Sequence, residues 1–484
     1  NELQQIADST SAVERQMAPL TPLFSLLDGM TTYGSTVAAG LPLMSTGTEY
    51  IDIVNEAMGI LTPALMDAGE EPDLDALIAA LSAVGPALAA LAPSAEIASA
   101  RLADVDATRL HPALAEPLRE LQIAAPQLGV GLRLAPYASE LLGFDTPKTY
   151  LILVQNNHEL RATGGFISAV GILSLDEGQI TEMDFQDSYQ FFNREGEYSP
   201  APLAMQTHMD IPLLLLRDAN WSPDLPTTAH LARTLFQQET GVEVDGIVTV
   251  DLHAVERLVG GLGRLNVEGV EQPITGDNIA EIVTKLWAQP LSTDAEADAE
   301  ISGDWWRERK NFMPALANAA LARIESGNVD LTAMALAALA SLDSRSVQVW
   351  LDDPAIATIL RDSGWDGAIA PPDDGDYLAL VDTNMGYNKV NAVLEREMTH
   401  QVTWPDLPGE PATVTTSITY HHRVEMDGHI CDQSPRYGAT YDEMTARCYF
   451  NYLRLYVPGD SQLIDADGFE LDSVTSKRGE RGTE

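Results

Sequence analysis

The sequence predicts a multidomain α/β protein. A helical leader spans residues 1–146, an α/β core spans 147–370, and a β-sandwich-like module spans 371–484. Three observations carry this prediction. Residues 1–145 lack lysine and tryptophan, and their apolar residues recur at intervals of three and four, as on one face of a helix. From Lys148 onward, short β-branched runs bounded by glycines alternate with helical patterns, as a sheet with interleaved helices requires. After Pro371-Pro372-Asp373-Asp374 the chain returns to strict alternation.

In the leader, Gly40-Leu41-Pro42, Thr62-Pro63, Gly85-Pro86 and His111-Pro112 predict several helices separated by breaks. The opening NELQQIADSTSAVERQM is already helical in period, which reads as a processed or a partly ordered chain. Leu77–Ala92 is apolar but Ala-rich, interrupted by Gly85-Pro86, and about one turn too short to span a bilayer. It reads as a core helix pair, so any membrane attachment would run through a segment upstream of this chain.

In the core, Leu151–Val154 and Phe166–Leu175 read as strands. Asp176-Glu177-Gly178 then turns the chain into Ile180–Phe185. Leu213–Leu216 reads as an apolar strand, and Asp224 as the cap of a helix starting near Pro226. Gly246–Val250 reads as a strand, with Asp251 capping a helix that stops at Gly260-Gly261 and Thr275 capping another through Trp287. In the last region Val414–Tyr420 and Phe450–Val457 alternate. In the second of these, Leu453, Leu455 and Val457 are expected to face a core, with Tyr452, Arg454 and Tyr456 outward.

Composition narrows the function. With 484 residues, 45% of them hydrophobic, the chain can bury several cores. The net charge of -44, from 72 acids against 28 bases, opposes any sequence-independent grip on nucleic acid or an anionic membrane, because both depend on Lys and Arg neutralising phosphate. It fits a soluble extracellular surface, and a halophilic habitat gives a similar composition. Cys431 and Cys448 are the only cysteines. Two thiols cannot build a Cys-only zinc site, so they read as one disulfide formed in an oxidising compartment.

Three polar constellations stand out. Asn157, Glu159 and Arg161 precede Gly164-Gly165 at a corner between two strands. Paired glycines permit a positive-φ turn or close approach to a ligand, and an arginine can hold phosphate or carboxylate bidentately. Equally, Glu159 and Arg161 can pair with each other and lock the corner. The second constellation is Arg217 and Asp218, which follow the greasy Leu213–Leu216 and place charge at the end of an expected strand. The third is Asp304, Arg307, Arg309 and Lys310, the densest basic cluster. On a helix, Asp304, Arg307 and Lys310 share a face, which serves either an internal ion-pair network or an anionic ligand.

No metal site is read. The acidic run Thr293–Asp304 lacks the glycine and glutamate placement of a calcium loop, and His421 and His422 are adjacent on a strand, where they point to opposite faces. Serine-hydrolase, zinc-protease and P-loop motifs are missing.

Several segments together resemble the bacterial family known as domain of unknown function 4012, in forms like those of Chloroflexota. They are QNNHELRATGGF at 155–166, LRDANWSPDLPT at 216–227, VDGIVTVD at 244–251, RKNFMPAL at 309–316, VDTNMGYNKVNAVLER at 381–396 and the Cys-bearing stretch at 431–458. That family implies no established activity. A more distant resemblance is to the LytR-CpsA-Psr cell-wall ligases, which transfer glycopolymers from polyprenyl-pyrophosphate carriers. It rests on Val244–Val267, ending in GGLGRLNV, and on Asp304, Arg307 and Lys310 at the family's D-x-x-R-x-x-R motif, with lysine in place of its last arginine.

The resemblance implies a LytR-CpsA-Psr-like core with a mixed sheet in an extracytoplasmic envelope protein, either surface-exposed or membrane-anchored. Its partners would be envelope components or copies of itself. If transfer occurs, it would take a polyprenyl-phosphate lipid and Mg, with Arg161, Arg217, Arg307, Arg309 and Lys310 on the anion. Yet Thr163-Gly164-Gly165 stands where that family's acidic magnesium ligands are expected. The expectation is therefore a surface or envelope role, structural or ligand-binding, with glycopolymer transfer as the alternative.

Overall fold

The computed structural model describes residues 9, 12–13, 15–20, 32–67, 74–193, 195–288, 312–327, 329–371, 375–407, 409–424, 431, 433, 441–469, 478–479 and 482–483. The chain forms two compact units. One comprises Asn1–Lys148, Ser174–Thr181 and Asp353–Ser363; the other comprises Thr149–Leu173, Glu182–Asp352 and Gly364–Glu484.

The first unit is built on helices α1 (Thr32–Asp67), α2 (Leu74–Ala89), α3 (Ala92–Ala103) and α4 (Pro112–Leu134). The expected breaks at Pro42, Pro63 and Pro86 do not occur, since α1 runs through the first two and α2 through the third. A proline inside a helix loses one backbone hydrogen bond and crowds the preceding turn. Here packing outweighs that penalty: Leu88, Ala92, Ala95, Ala98 and Leu132 form a buried cluster whose small side chains let the helices close together. His111-Pro112 does mark a boundary, because Pro112 opens α4 where no N–H partner is needed and the His111 ring accepts from Ala113 N. No single described helix is long and apolar enough to cross a membrane. The pair Ile78–Ala89 and Ala92–Ala103 has the length and composition together but bends by 63°.

The second unit centres on a five-stranded sheet in the order β3-β2-β1-β4-β5, with β1 Lys148–Asn156, β2 Phe166–Asp176, β3 Gln179–Asp187, β4 Gly246–Asp251 and β5 Val347–Leu351. Strands β1 and β4 run parallel, with Tyr150 opposite Gly246 and Gln155 opposite Asp251, while β4 and β5 run antiparallel. The sheet is thus mixed. Both faces of β1 are covered. Leu151 and Leu153 pack with Ile167, Ile247 and Phe236, whereas Val154 packs with Ala169, Phe185 and Ala317. Each fully buried Leu contributes about 1.5–3 kcal/mol relative to exposure.

Helix α5 (Leu225–Thr240) starts as expected, with Asp224 accepting from Thr227 N. Asp251 likewise caps α6 (Leu252–Leu262) through Ala254 N. Helix α6 does not stop at Gly260-Gly261; it ends where Gly263 takes φ +80°. Leu213–Leu216 is not a strand, since Leu213 forms an isolated bridge to Pro200 and Leu216 opens a 3-10 turn, Leu216–Trp221. Helices α7 (Ile279–Ala288), α8 (Phe312–Glu325) and α9 (Leu331–Asp343) also belong to this unit, and Ile279, Ile282, Phe312 and Leu316 share one apolar cluster with α6. Thr275 stands one turn before α7, where its carbonyl accepts from Ile279 N.

Toward the C-terminus, β6 (Ala379–Val381) pairs antiparallel with β9 (Arg454–Tyr456), and β7 (Leu394–Thr403) pairs antiparallel with β8 (Thr413–His422) over ten residues. Among the described residues these are separate two-stranded pairs, and no larger sheet joins them. The expected outward placement of Arg454 is reversed. Its guanidinium is buried 4.4 Å over the Trp221 ring and donates to the Trp221 carbonyl, which offsets the cost of desolvating the charge. Cys431 and Cys448 form the disulfide that their sequence suggested.

Candidate functional site

The corner between β1 and β2 is held from inside. Its turns close through Glu159 N to Asn156 O (3.0 Å), Gly164 N to Arg161 O (3.0 Å) and Phe166 N to Glu159 O (2.8 Å). At Gly164 φ is +141°, and a side chain on Gly165 would lie 2.3 Å from the Asn156 backbone. Both glycines are therefore required by the turn and by chain-against-chain packing. Gln155, at the end of β1, donates to Thr163 Oγ1 (2.9 Å) and accepts from Gly165 N (3.1 Å). Asn220 donates to Thr163 Oγ1 and Gly165 O, and Gln348 of β5 donates to Thr163 O.

The charged residues of the corner are among the most buried in the molecule. Glu159 is 6% exposed, Arg161 5% and Lys389 4%. Arg161 Nη2 donates to Glu159 Oε1 (3.1 Å), Nη1 donates to the carbonyls of Leu160 (3.0 Å) and Asn384 (2.8 Å), and the guanidinium lies 5.4 Å from the Phe166 ring centre. Lys389 Nζ donates to the other carboxylate oxygen, Glu159 Oε2. Burial would raise the Glu159 carboxyl, but Lys389 and then Arg161 outweigh it and hold it below the usual carboxylate range. An asparagine cluster continues the lock: Leu160 N donates to Asn391 Oδ1, and Asn384 Nδ2 donates to Asn388 Oδ1 and Asn391 Oδ1. His158 hydrogen-bonds Tyr441. Burial, aided by Lys389 and His253, lowers its pKa to about 4, so the ring is neutral at pH 7.

Arg217 and Asp218 sit beside this lock on the 3-10 turn. Arg217 Nε is 3.7 Å from Asp218 Oδ2, too far for a hydrogen bond, and its guanidinium lies 4.6 Å from the Tyr189 ring centre. Asp218 Oδ2 is buried without a hydrogen-bond partner. So are Asn220 Oδ1, Asn157 Oδ1 and Arg161 Nε. Desolvation pushes the Asp218 carboxyl upward against the opposing pull of Arg217 and Arg161.

The structure therefore brings together Asn157, Glu159, Arg161, Gly164, Gly165, Arg217 and Asp218. Asp304, Arg307, Arg309 and Lys310 lie outside the described residues. The sequence reading did not single out Lys389, Asn384, Gln155 and Gln348. A signal for Lys389 was present, since it is one of five lysines in the chain and stands within VDTNMGYNKVNAVLER.

The donor set does not fit a held Mg ion, which takes oxygen ligands in near-octahedral array. Glu159 is engaged by two cations, and no group of three or more His, Cys, Asp or Glu side chains that could hold a metal ion occurs among the described residues.

Comparison with known proteins finds one segment similar to a family. Residues 145–286 match the family described as "Protein of unknown function (DUF4012)". The landmarks at 155–166, 216–227 and 244–251 fall inside that match, whereas those at 309–316, 381–396 and 431–458 fall outside it. The sequence matches no curated protein. Among solved structures, the Lin1025 protein from Listeria innocua is 9% identical, with 49% of this chain and 85% of that chain covered at a TM-score of 0.25. TagV of B. subtilis is 11% identical, with 46% and 80% covered at a TM-score of 0.24. A Bacillus subtilis protein described as the transcriptional regulator yvhJ is 11% identical, with 46% and 97% covered at a TM-score of 0.22. Superpositions this loose carry no argument for activity.

Proposed function

We propose that this chain is an extracytoplasmic cell-envelope protein with a structural or ligand-binding role, in which the corner Asn156–Gly165 locks the core and performs no phosphoryl chemistry. The observation that carries the reading is the engagement of Arg161. Its two terminal nitrogens point to Glu159 and to two backbone carbonyls, so they do not present to an external phosphate. An electrostatic catalyst needs donors aimed at the charge that develops in the transition state, and this arginine is aimed at the protein's own carboxylate. The Cys431–Cys448 disulfide and the acidic surface support an oxidising, exposed location.

One observation favours the alternative, glycopolymer transfer from a polyprenyl-pyrophosphate carrier. Asp218 is a buried carboxyl with an unpartnered oxygen, and it lies beside Arg217, whose side chain is 23% exposed. The two readings separate on incubation of the full chain with a polyprenyl-pyrophosphate-linked saccharide, with and without Mg. Release of the carrier should stay at the protein-free level. Release that depends on the protein and disappears in Arg217→Ala would overturn the non-catalytic reading. Envelope location is checked by protease treatment of intact source cells, in which the chain should be digested.

A further inference from the structure

The turn at 384–389 carries the residues that close the corner, and it lies between two partners. On one side Asn384 N donates to Leu160 O (3.0 Å), Asn384 O accepts from Arg161, and Lys389 Nζ donates to Glu159. On the other side the turn runs beside residues 444–452. Thr383 and Tyr452 exchange backbone bonds, Met385 N donates to Phe450 O (2.8 Å), and Lys389 N donates to Met444 O (3.0 Å). The turn is itself strained. Tyr387 takes φ +50°, a left-handed conformation that a bulky side chain adopts only where its surroundings impose it.

The disulfide braces this turn from both of its ends. Cys448 lies within the 444–452 run, and its carbonyl accepts from Asn388 Nδ2 (2.9 Å). The oxygen of the same Asn388 side chain accepts from Asn384 Nδ2 (3.0 Å). At the other end Gln433, two residues beyond Cys431, donates to Met385 O (3.2 Å) and to His208 O. The bond is also open to a reagent, since Cys431 is exposed and Cys448 half-buried. Thiol–disulfide exchange requires such access at the sulfur that is attacked.

We propose that the Cys431–Cys448 disulfide is a redox-operated clasp, and that exchange with a dithiol at Cys431 releases the turn 384–389 and with it the bond from Lys389 to Glu159. A thiolate of the dithiol attacks Cys431 Sγ, the bond between the two sulfurs breaks, and Cys448 leaves as a thiolate that takes a proton. The second thiol of the reagent then attacks the mixed disulfide and frees Cys431. The protein gains two electrons and two protons while the dithiol becomes a disulfide. Once the bond is open, the segments at Gln433 and Cys448 no longer brace the turn together, and the conformation at Tyr387 loses part of what imposes it. A turn that opens takes Lys389 away from a buried carboxylate, which is unfavourable for the carboxylate left behind, so corner and turn loosen as one. The corner remains a lock, and the envelope reading stands, if the disulfide proves to be only a staple.

Amide hydrogen exchange on the intact chain tests the clasp, first oxidised and then after dithiothreitol without denaturant, with reduction confirmed by titrating the freed thiols. Reduction should speed exchange roughly tenfold or more at 156–166 and 383–391, while β4 and α5 keep their protection. Equal loss at β4 and at the corner would make the bond a staple for the whole unit and overturn the clasp. So would an unchanged corner, or a disulfide that resists dithiothreitol until the protein unfolds. Reoxidation should restore slow exchange at the corner, and a loss that persists after the bond re-forms counts against a switch. Cys431→Ser/Cys448→Ser should show the reduced parent's pattern with or without dithiothreitol, and any further response to the reagent overturns the proposal. Because the parent is read in both redox states, the outcome does not depend on that variant folding.

Discussion

The corner at Asn156–Gly165 and the β7–β8 ribbon belong to the same compact unit and are both rich in polar residues, yet they direct those residues oppositely. In the corner, Glu159, Arg161, Lys389, Asn384 and Gln155 point their polar groups at one another and at backbone carbonyls. In the ribbon, Thr399, Gln401, Thr403, Thr413, Thr415 and Ser417 face solvent. The contrast teaches that polar sequence alone does not mark a ligand site. What distinguishes the two is whether distant segments supply partners.

The largest effect expected from this contrast is at Lys389. Lys389→Met removes one cation from a buried carboxylate and should cost about 3–5 kcal/mol in chemical denaturation, as breaking a buried ion pair does. A loss below about 1 kcal/mol, the range of an exposed pair, would break the comparison. Next, Gly165→Ala drives a methyl into the Asn156 backbone and should cost about 1–3 kcal/mol in the same measurement.

The third effect is pH-dependent. His158 has a folded pKa of about 4 against an ordinary value of 6.5, so the unfolded chain binds more protons between these values and stability falls as pH drops through that window. Glu159, held low by Lys389 and Arg161, adds its own loss on further acidification, as pH falls through its depressed folded pKa. His158→Phe should flatten the slope of melting temperature between pH 6.5 and about 4 while leaving the more acidic loss in place. An unchanged slope would show that another group carries it. The smallest effect belongs to the ribbon, where Thr415→Lys/Ser417→Lys should change stability by no more than about 0.5 kcal/mol, as exposed positions do.

What could be read from the sequence was local. Asp224 and Asp251 as helix caps, the β1 and β2 runs and the turn at Glu177-Gly178 are decided within a few residues, where capping and turn chemistry act. The disulfide was legible because only one pairing exists. Elements decided by distant partners were not. Arg454 turned inward because Trp221, far away in sequence, offers a ring and a carbonyl. Leu213–Leu216 is apolar enough for a strand, but among the described residues it makes only the isolated bridge from Leu213 to Pro200 before the chain turns at Leu216. Pro42, Pro63 and Pro86 suggested breaks that helix packing overrode. For the candidate site, the corner itself was visible, but Glu159 and Arg161 read equally as a ligand grip or a lock. Lys389 and Asn384 decide between the two from 230 and 223 positions downstream.

That separation also sets a schedule for synthesis. The helices of the first unit draw most of their partners from nearby sequence and can assemble while the chain is still being made. Glu159 leaves the ribosome 230 residues ahead of the lysine that neutralises it. At about 5–20 residues per second, the interval is roughly 10–50 s, during which the core sheet either stays open at that corner or holds a carboxylate short of one of its two cations. Closure of the second unit is therefore a late event in the life of the chain, timed by the arrival of its C-terminal quarter.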